Sequence, residues 1–385
     1  MHKIVVLGAG YAGMAAAVNL AGRTRRRADV EITVVNATAR FTERLRLHQA
    51  AAGQELADLR IADVLGDNGI TLVYGWVTAV DAAARTVRID DERVLHYDTL
   101  VYALGGVSDT GAVPGAADHA HTFDSAHDAE ALARRLATLG TGTVAVCGGG
   151  LTGVEAAAEI AEAHPGLDVV LLGRAEPGVG LAPKAKAYVD AALARLGVRV
   201  RSGVEIVKVL PDSVVLDDDA VPADVVLWTS GVRVSPLAAE AGLAVDERGR
   251  VVTDESLRSV SHPDVYVVGD AAAVRQGYGT LTGTCQSGMP TGVHAAISIV
   301  RELEGKRPKA FRFGYLHCPV SLGRGDAVVQ FTRPDNSPKR SHLTGRRAVW
   351  YKETVSAGGW ASFGRMSRFP VLGTLGWRRG GRYTR

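Results

Sequence analysis

Two glycine clusters have the residue types and spacing that binding a phosphate chain requires. Gly8-Ala9-Gly10-Tyr11-Ala12-Gly13 and Gly148-Gly149-Gly150-Leu151-Thr152-Gly153 both read GxGxxG, and each lies between an apolar strand and a helical run. In such a loop the first glycine makes the tight turn and the second lets backbone N–H groups approach a pyrophosphate. The third lets the helix pack closely on the strand. The helix N-terminus adds partial positive charge beneath the phosphates. One such loop in a chain with 45 glycines is weak evidence, but two in the same strand–turn–helix context point to two dinucleotide sites. The residue ending the next strand usually supplies a carboxylate to the adenosine ribose, and neither unit has one. The first ends Val34-Val35-Asn36, which puts Asn36 in that role. The second ends Leu171-Leu172-Gly173-Arg174, where Gly173 leaves room and Arg174 offers a guanidinium to a 2′-phosphate. Glu176 acting on the ribose is the alternative, so both forms of the dinucleotide stay open.

The elements that must position these loops repeat at domain scale. Strand Ile4–Leu7, helix Met14–Leu20 and strand Glu31–Val35 match strand Thr143–Cys147, helix Val154–Ala163 and strand Asp168–Leu172. Each β-α-β unit is followed by an apolar strand ending in a small-residue turn, at Thr99–Gly105 and at Asp224–Gly231. A further strand, Val265–Val268, ends in Gly269-Asp270-Ala271. The expected fold is α/β, with two Rossmann-like dinucleotide-binding domains, the first interrupted by the second, and a small C-terminal region. The expected boundaries are 1–110 and 233–307 for the first domain, 111–232 for the second and 308–385 for the C-terminal region. Turn-rich segments near 106–120 and 231–236 are the expected crossings.

The chain has 385 residues, of which 46% are hydrophobic, enough for two or three cored domains. Its net charge of +3 divides into −10 over residues 1–300 and +13 over 301–385. A nucleic-acid-binding layout is not expected from an acidic body, but the basic end suits an anionic surface. Three cysteines form neither a disulfide framework nor a metal-ligand spacing, so no metal is expected. The chain opens directly on a strand and contains no run of ~18 apolar residues. A cytoplasmic setting follows as the expectation, with peripheral attachment to the inner face of a membrane as its variant.

Taken in order, Gly8-Ala9-Gly10, Tyr102-Ala103-Leu104-Gly105, Gly148-Gly149-Gly150 and Val267-Val268-Gly269-Asp270 resemble the two-dinucleotide flavoproteins. Gly150–Glu155 and Leu227-Trp228-Thr229-Ser230-Gly231-Val232 narrow the resemblance to the type II NADH dehydrogenases and ferroptosis-suppressor-like quinone reductases, over about residues 1–325. The resemblance implies FAD held by Gly8, Gly10, Tyr11, Ala12 and Gly13. Asn36 would meet the ribose, Arg40 the diphosphate and the Val77 backbone the adenine. Ala103, Gly105, Gly269 and Asp270 would line the flavin. It implies NAD(P)H as co-substrate on Gly148, Gly150, Thr152, Gly153, Arg174 and Gly231, with Glu155 beside the nicotinamide and Gln286 at the flavin. The implied activity carries hydride from nicotinamide to flavin and then electrons to an acceptor of quinone type.

Three departures qualify that reading. No cysteine precedes Cys147, which excludes the family's redox disulfide, and only Cys285 and Cys318 remain for any thiol chemistry. Gln286 is retained in the helix that lines the quinone pocket in type II dehydrogenases, but Pro290-Thr291 replaces its glutamine pair. In the C-terminal segment, Trp350, Tyr351, Trp360, Phe363, Phe369 and Trp377 interleave with Arg346, Arg347, Lys352, Arg365, Arg368, Arg378, Arg379, Arg382 and Arg385. That mixture suits a membrane surface, a packed cap or a homodimer contact, while Gly358, Gly359, Gly364, Pro370, Gly373 and Gly376 are expected to break any long helix. A biosynthetic flavin enzyme, a reductase of a protein electron carrier and a non-catalytic redox sensor are the rival functions.

Overall fold

The computed structural model describes residues 1–371. Gly373, Gly376, Trp377, Arg378, Arg379, Arg382 and Arg385 of the C-terminal pattern lie outside the described residues. Strand His2–Leu7, helix Tyr11–Thr24 and strand Val30–Asn36 form the first β-α-β unit. His2–Leu7 pairs in parallel with Val30–Asn36 on one side and Thr99–Tyr102 on the other. Thr71–Tyr74 and Val265–Val267 complete a five-stranded parallel sheet. Val6 and Leu7 are fully buried, as in strands covered on both faces, which explains the continuous apolar run in place of alternation.

The second sheet is built the same way. Gly142–Cys147 lies at its centre, parallel to Leu167–Gly173 and Val225–Trp228, with Arg199–Ser202 and Ala120–His121 at the edges. Helix Leu151–Ala163 follows the second glycine loop. The chain leaves the first sheet and returns to it through Gly106–Ser108 and Val232–Val234, which pair antiparallel as a two-stranded tether.

Helix Cys285–Leu303 begins at a capping box made by Thr284 and Ser287. It lies against Tyr11–Thr24 so closely that a Cβ on Gly292 would overlap the Ala12 carbonyl. Beyond it, His317–Ser321, Ala327–Thr332 and Pro338–Thr344 form a three-stranded antiparallel sheet.

The final helix, Gly345–Arg368, overturns one sequence expectation: it runs unbroken for 24 residues through Gly358, Gly359 and Gly364. Packing outweighs the propensity cost of the glycines. Phe363 is fully buried in the core around Tyr11–Thr24, and a Cβ at Gly359 would come within 2.8 Å of the Tyr11 ring. Gly22 gives the same close approach to the Ser367 carbonyl. The described part of the C-terminal region is therefore docked on the body. Phe363 faces the core and Trp360 is half-buried, while Trp350 is 70% exposed and Phe369 63% exposed. No helix of the described residues is long and apolar enough to cross a membrane.

Candidate functional site

Both glycine loops are built alike. Gly8 adopts φ +92°, and a Cβ there would meet the Ala103 carbonyl at 2.6 Å; a Cβ on Gly13 would overlap the Gly8 carbonyl. Gly148 adopts φ +133°, with Thr229 Oγ1 at 2.6 Å from the same virtual atom, and a Cβ on Gly153 would overlap the Gly148 carbonyl. Gly10 and Gly150 face open space. Each helix starts from one of these two glycines with no side-chain cap. The first-turn N–H groups are thus left for a ligand, the arrangement that binds phosphate.

The first loop opens into a cleft of about 520 Å³. Gly8, Gly10, Tyr11, Ala12 and Asn36 line one wall, and Val77, Ala103 and Gly105 another. Gly269, Asp270, Cys285 and Gly288 also line it, with Gly269 and Gly288 packed beside Ala12. The Thr291 hydroxyl fixes this part, accepting from Gly269 N at 2.9 Å and donating to the Gly288 carbonyl. Pro290 and Thr291 are buried here, supporting the turn. Burial raises the Asp270 carboxyl above its ordinary range, partly opposed by Arg44. Burial also pushes the Tyr11 hydroxyl up, and the ring packs edge-on against Phe41 at 4.9 Å.

Several residues singled out from the sequence have other partners. Asn36 lines the cleft, but its Oδ1 accepts from Ala9 N at 2.9 Å and its Nδ2 donates to the Thr38 carbonyl at 2.8 Å, so the side chain braces the loop. Arg40 turns away from the cleft, donating to the Leu56 and Ala57 carbonyls. Its long side chain reaches a neighbouring loop. Gln286 spans to the C-terminal region, donating to the His317 carbonyl at 2.8 Å and accepting from Leu316 N at 2.9 Å. Thr152 is exposed on the first turn of the second loop's helix. Gly231, at φ +74°, lies beside Asp109 at the tether. The side chain of Arg174 is 79% exposed and meets Glu205 at 3.5 Å.

Glu155 belongs to a polar cluster where three regions of the chain meet. Its carboxyl forms a short ion pair with Lys352 and accepts from Ser321 N at 2.9 Å. Lys352 is therefore buried inside the protein and does not join the basic surface expected from the sequence. Lys352, together with buried His48 and the hydrogen bond to Ser321, holds the Glu155 carboxyl below its ordinary range against the opposing effect of burial. His48 lies 4.0 Å from Glu155 and 3.8 Å from Glu159, and burial lowers it to about 3. Arg324 pairs with both Glu159 and Glu353, and Glu353 with Arg46 at 2.6 Å. Sequence reasoning missed this cluster, along with Arg44 and Trp76 in the cleft wall. Lys352 and Glu155 are 197 residues apart, so no local spacing signalled them.

Residues 2–298 match the family described as pyridine nucleotide-disulphide oxidoreductase. An NADH dehydrogenase-like protein of Mycobacterium tuberculosis is 32% identical over 357 residues, covering 85% of this chain and 87% of its own. The type II NADH:quinone oxidoreductase of Staphylococcus epidermidis is 29% identical and covers 92% of this chain and 94% of its own. Among solved structures, NDH2 from Plasmodium falciparum superposes with a TM-score of 0.79 at 14% identity, over 96% of this chain and 98% of that one. The sulfide:quinone oxidoreductase of Aquifex aeolicus gives 0.82 at 19%, over 97% and 94%, a likeness of fold. With its two glycine loops on two parallel sheets, this chain belongs to the pyridine nucleotide-disulphide oxidoreductase family.

Proposed function

We propose that the protein is an FAD-dependent oxidoreductase that takes electrons from NADH and passes them to a quinone. The observation that carries this reading is the pair of uncapped glycine loops of one geometry, the first of which leads into a cleft. That cleft fits FAD: it has a loop whose close approach a Cβ would block, free helix-end donors, and the Asp270 carboxyl in its lining. When bound there, FAD supplies the hydride and electron chemistry. Gly8, Gly10 and Gly13 hold its pyrophosphate, and Asp270 bonds its ribityl side. Gly148, Gly150 and Gly153 receive the nicotinamide dinucleotide. The ion pair with Lys352 helps hold the Glu155 carboxyl below its ordinary range at the junction of the three regions. Gln286 positions Leu316 and His317 against the helix start. The names of the relatives support NADH as donor and quinone as acceptor.

A thiol-based route is disfavoured. Burial pushes Cys285 up to about 12 and Cys318 up to about 11, so neither is a thiolate at neutral pH. Exposed Trp350 and Phe369 among basic residues support contact with an anionic membrane surface. The deciding experiment is the visible spectrum of the purified protein, followed by anaerobic oxidation of NADH and NADPH with and without a short-chain quinone. Acceleration by quinone of orders of magnitude is the expected result. A flavin that NADH reduces but quinone does not reoxidise overturns the acceptor, and a protein without flavin overturns the whole reading.

A further inference from the structure

We propose that Arg324 is the positioning residue of Glu155, through its hold on both groups that bind that carboxyl; this rests on the reading of the second loop as the site of the nicotinamide dinucleotide. Glu155 lies four residues past Leu151, where the helix begins, about 6 Å along its axis from the loop. Lys352 Nζ and Ser321 N both donate to its Oε1, while Oε2 faces His48 Nδ1 at 4.0 Å. One donor comes from the final helix and the other from strand His317–Ser321. The direction of the carboxyl therefore follows from how the C-terminal region seats on the second domain.

Arg324 sets that seating. Its Nη2 donates to Ser321 Oγ at 3.1 Å, and its Nη1 to Glu353 Oε1 at 3.4 Å, which fixes the turn carrying Lys352. Its Nε donates at 2.9 Å to Glu159 Oε1, one turn beyond Glu155 on the same helix face. An ion pair at a domain junction is ordinarily structural. Here each nitrogen of the guanidinium goes to a different neighbour of Glu155, on three different elements, a fork that a lysine does not reproduce. Glu159 is 1% exposed, and burial raises its carboxyl against the pull of Arg324. The hairpin tip lies flush on the helix: Arg324 N donates to Glu162 Oε2 at 2.5 Å. A Cβ on Gly323, at φ +96°, would come within 2.6 Å of the same carboxyl. On the far side of the tip, Asp326 accepts from the Tyr188 hydroxyl at 2.8 Å and pairs with Arg195 at 2.5 Å. The remaining charged or titratable neighbours of Glu155 are Arg46, which pairs with Glu353, and Cys318.

The test measures anaerobic flavin reduction by NADH and urea unfolding for the full chain as wild type, Arg324→Gln, Glu155→Gln and the double variant. Arg324→Gln should slow reduction at saturating NADH by roughly tenfold and leave the half-saturating NADH concentration within about twofold, as a misplaced group does. In the Glu155→Gln background the same substitution should change the rate by less than about twofold, and the unfolding midpoints should be non-additive. Arg324→Lys should recover the midpoint but not the rate. A full rate in Arg324→Gln overturns the proposal, as does an equal loss in both backgrounds or additive midpoints, either of which marks an ordinary domain contact. Should Arg324→Gln fail to fold, Ser321→Ala, which removes the hydroxyl and keeps the N–H, enters the same cycle. A slowing of about threefold that vanishes beside Glu155→Gln is then expected, and an unchanged rate overturns the proposal. If NADH does not reduce the wild-type flavin, the functional reading fails, and the unfolding cycle alone judges the coupling of Arg324 to Glu155.

Discussion

A Cβ placed on Gly13 and one placed on Gly153 would strike the same atom of the same turn, the carbonyl of Gly8 in one loop and of Gly148 in the other. The two loops nevertheless lead to different surroundings. Around the first, Asn36 braces Ala9, Trp76 stands at the rim, and the Gly269-Asp270 turn and the Cys285 helix line the cleft. Around the second, the next strand ends in Gly173, where a Cβ would meet Gly149 N at 2.6 Å, and Arg174 projects outward. The loop geometry is thus the same at both places. What covers each loop is different, and on the proposed reading that difference separates a resident cofactor from a dinucleotide that comes and goes.

The sharpest way to break this comparison is to fill each loop in turn. Gly13→Ala should lower flavin content by about tenfold or more, because the helix must move off the strand. Gly153→Ala should keep the flavin and raise the KM for NADH by a similar factor. Absorbance at the flavin band and steady-state NADH oxidation read the two effects, and loss of flavin in both variants would erase the distinction.

The next effect concerns the cluster that joins the two sites. Lys352→Met leaves Glu155 as an enclosed carboxylate without its cation, which should cost about 3 kcal/mol in urea unfolding. Restoring that stability with Glu155→Gln in the same chain identifies the pair as the cause.

A smaller effect comes from His48, lowered from 6.5 to about 3 by burial in spite of the neighbouring Glu155, with Lys352, Arg324 and Arg46 adding to the shift. As pH falls below about 6.5 the unfolded chain takes up a proton there, while the folded chain does not until about 3. Stability is therefore lost on acidification across that window, by up to about 1.4 kcal/mol per pH unit. His48→Gln should flatten the slope of unfolding free energy between pH 6 and 5, and an unchanged slope would remove His48 from the account.

The smallest effect belongs to Arg174, which meets Glu205 at 3.5 Å on an exposed surface. Arg174→Ala should leave NADH kinetics within about twofold, since exposed pairs contribute little. A larger loss with NADPH would show that its guanidinium meets the 2′-phosphate.

Much of the fold was legible because its requirements are local. A buried parallel strand needs a continuous apolar run, and the turn after it needs glycines wherever φ is positive or a Cβ would collide. Both conditions are written within a dozen residues around Gly8 and again around Gly148. Long polar side chains were less legible: Arg40 and Gln286 each bond to backbone brought near only by folding. Lys352 looked like part of a basic surface and proved to be the buried partner of Glu155.

The sequence by itself determined that two glycine loops of one geometry exist, in what order, and on what strands, since steric exclusion acts between near neighbours along the chain. Only the tertiary structure decided which charges meet and which helix survives its glycines. Lys352 reaches Glu155 across 197 residues, and Gly345–Arg368 stays helical because Gly22 and Gly359 let it seat against the first helix. Ion pairing and packing depend on distances that the folded chain alone sets.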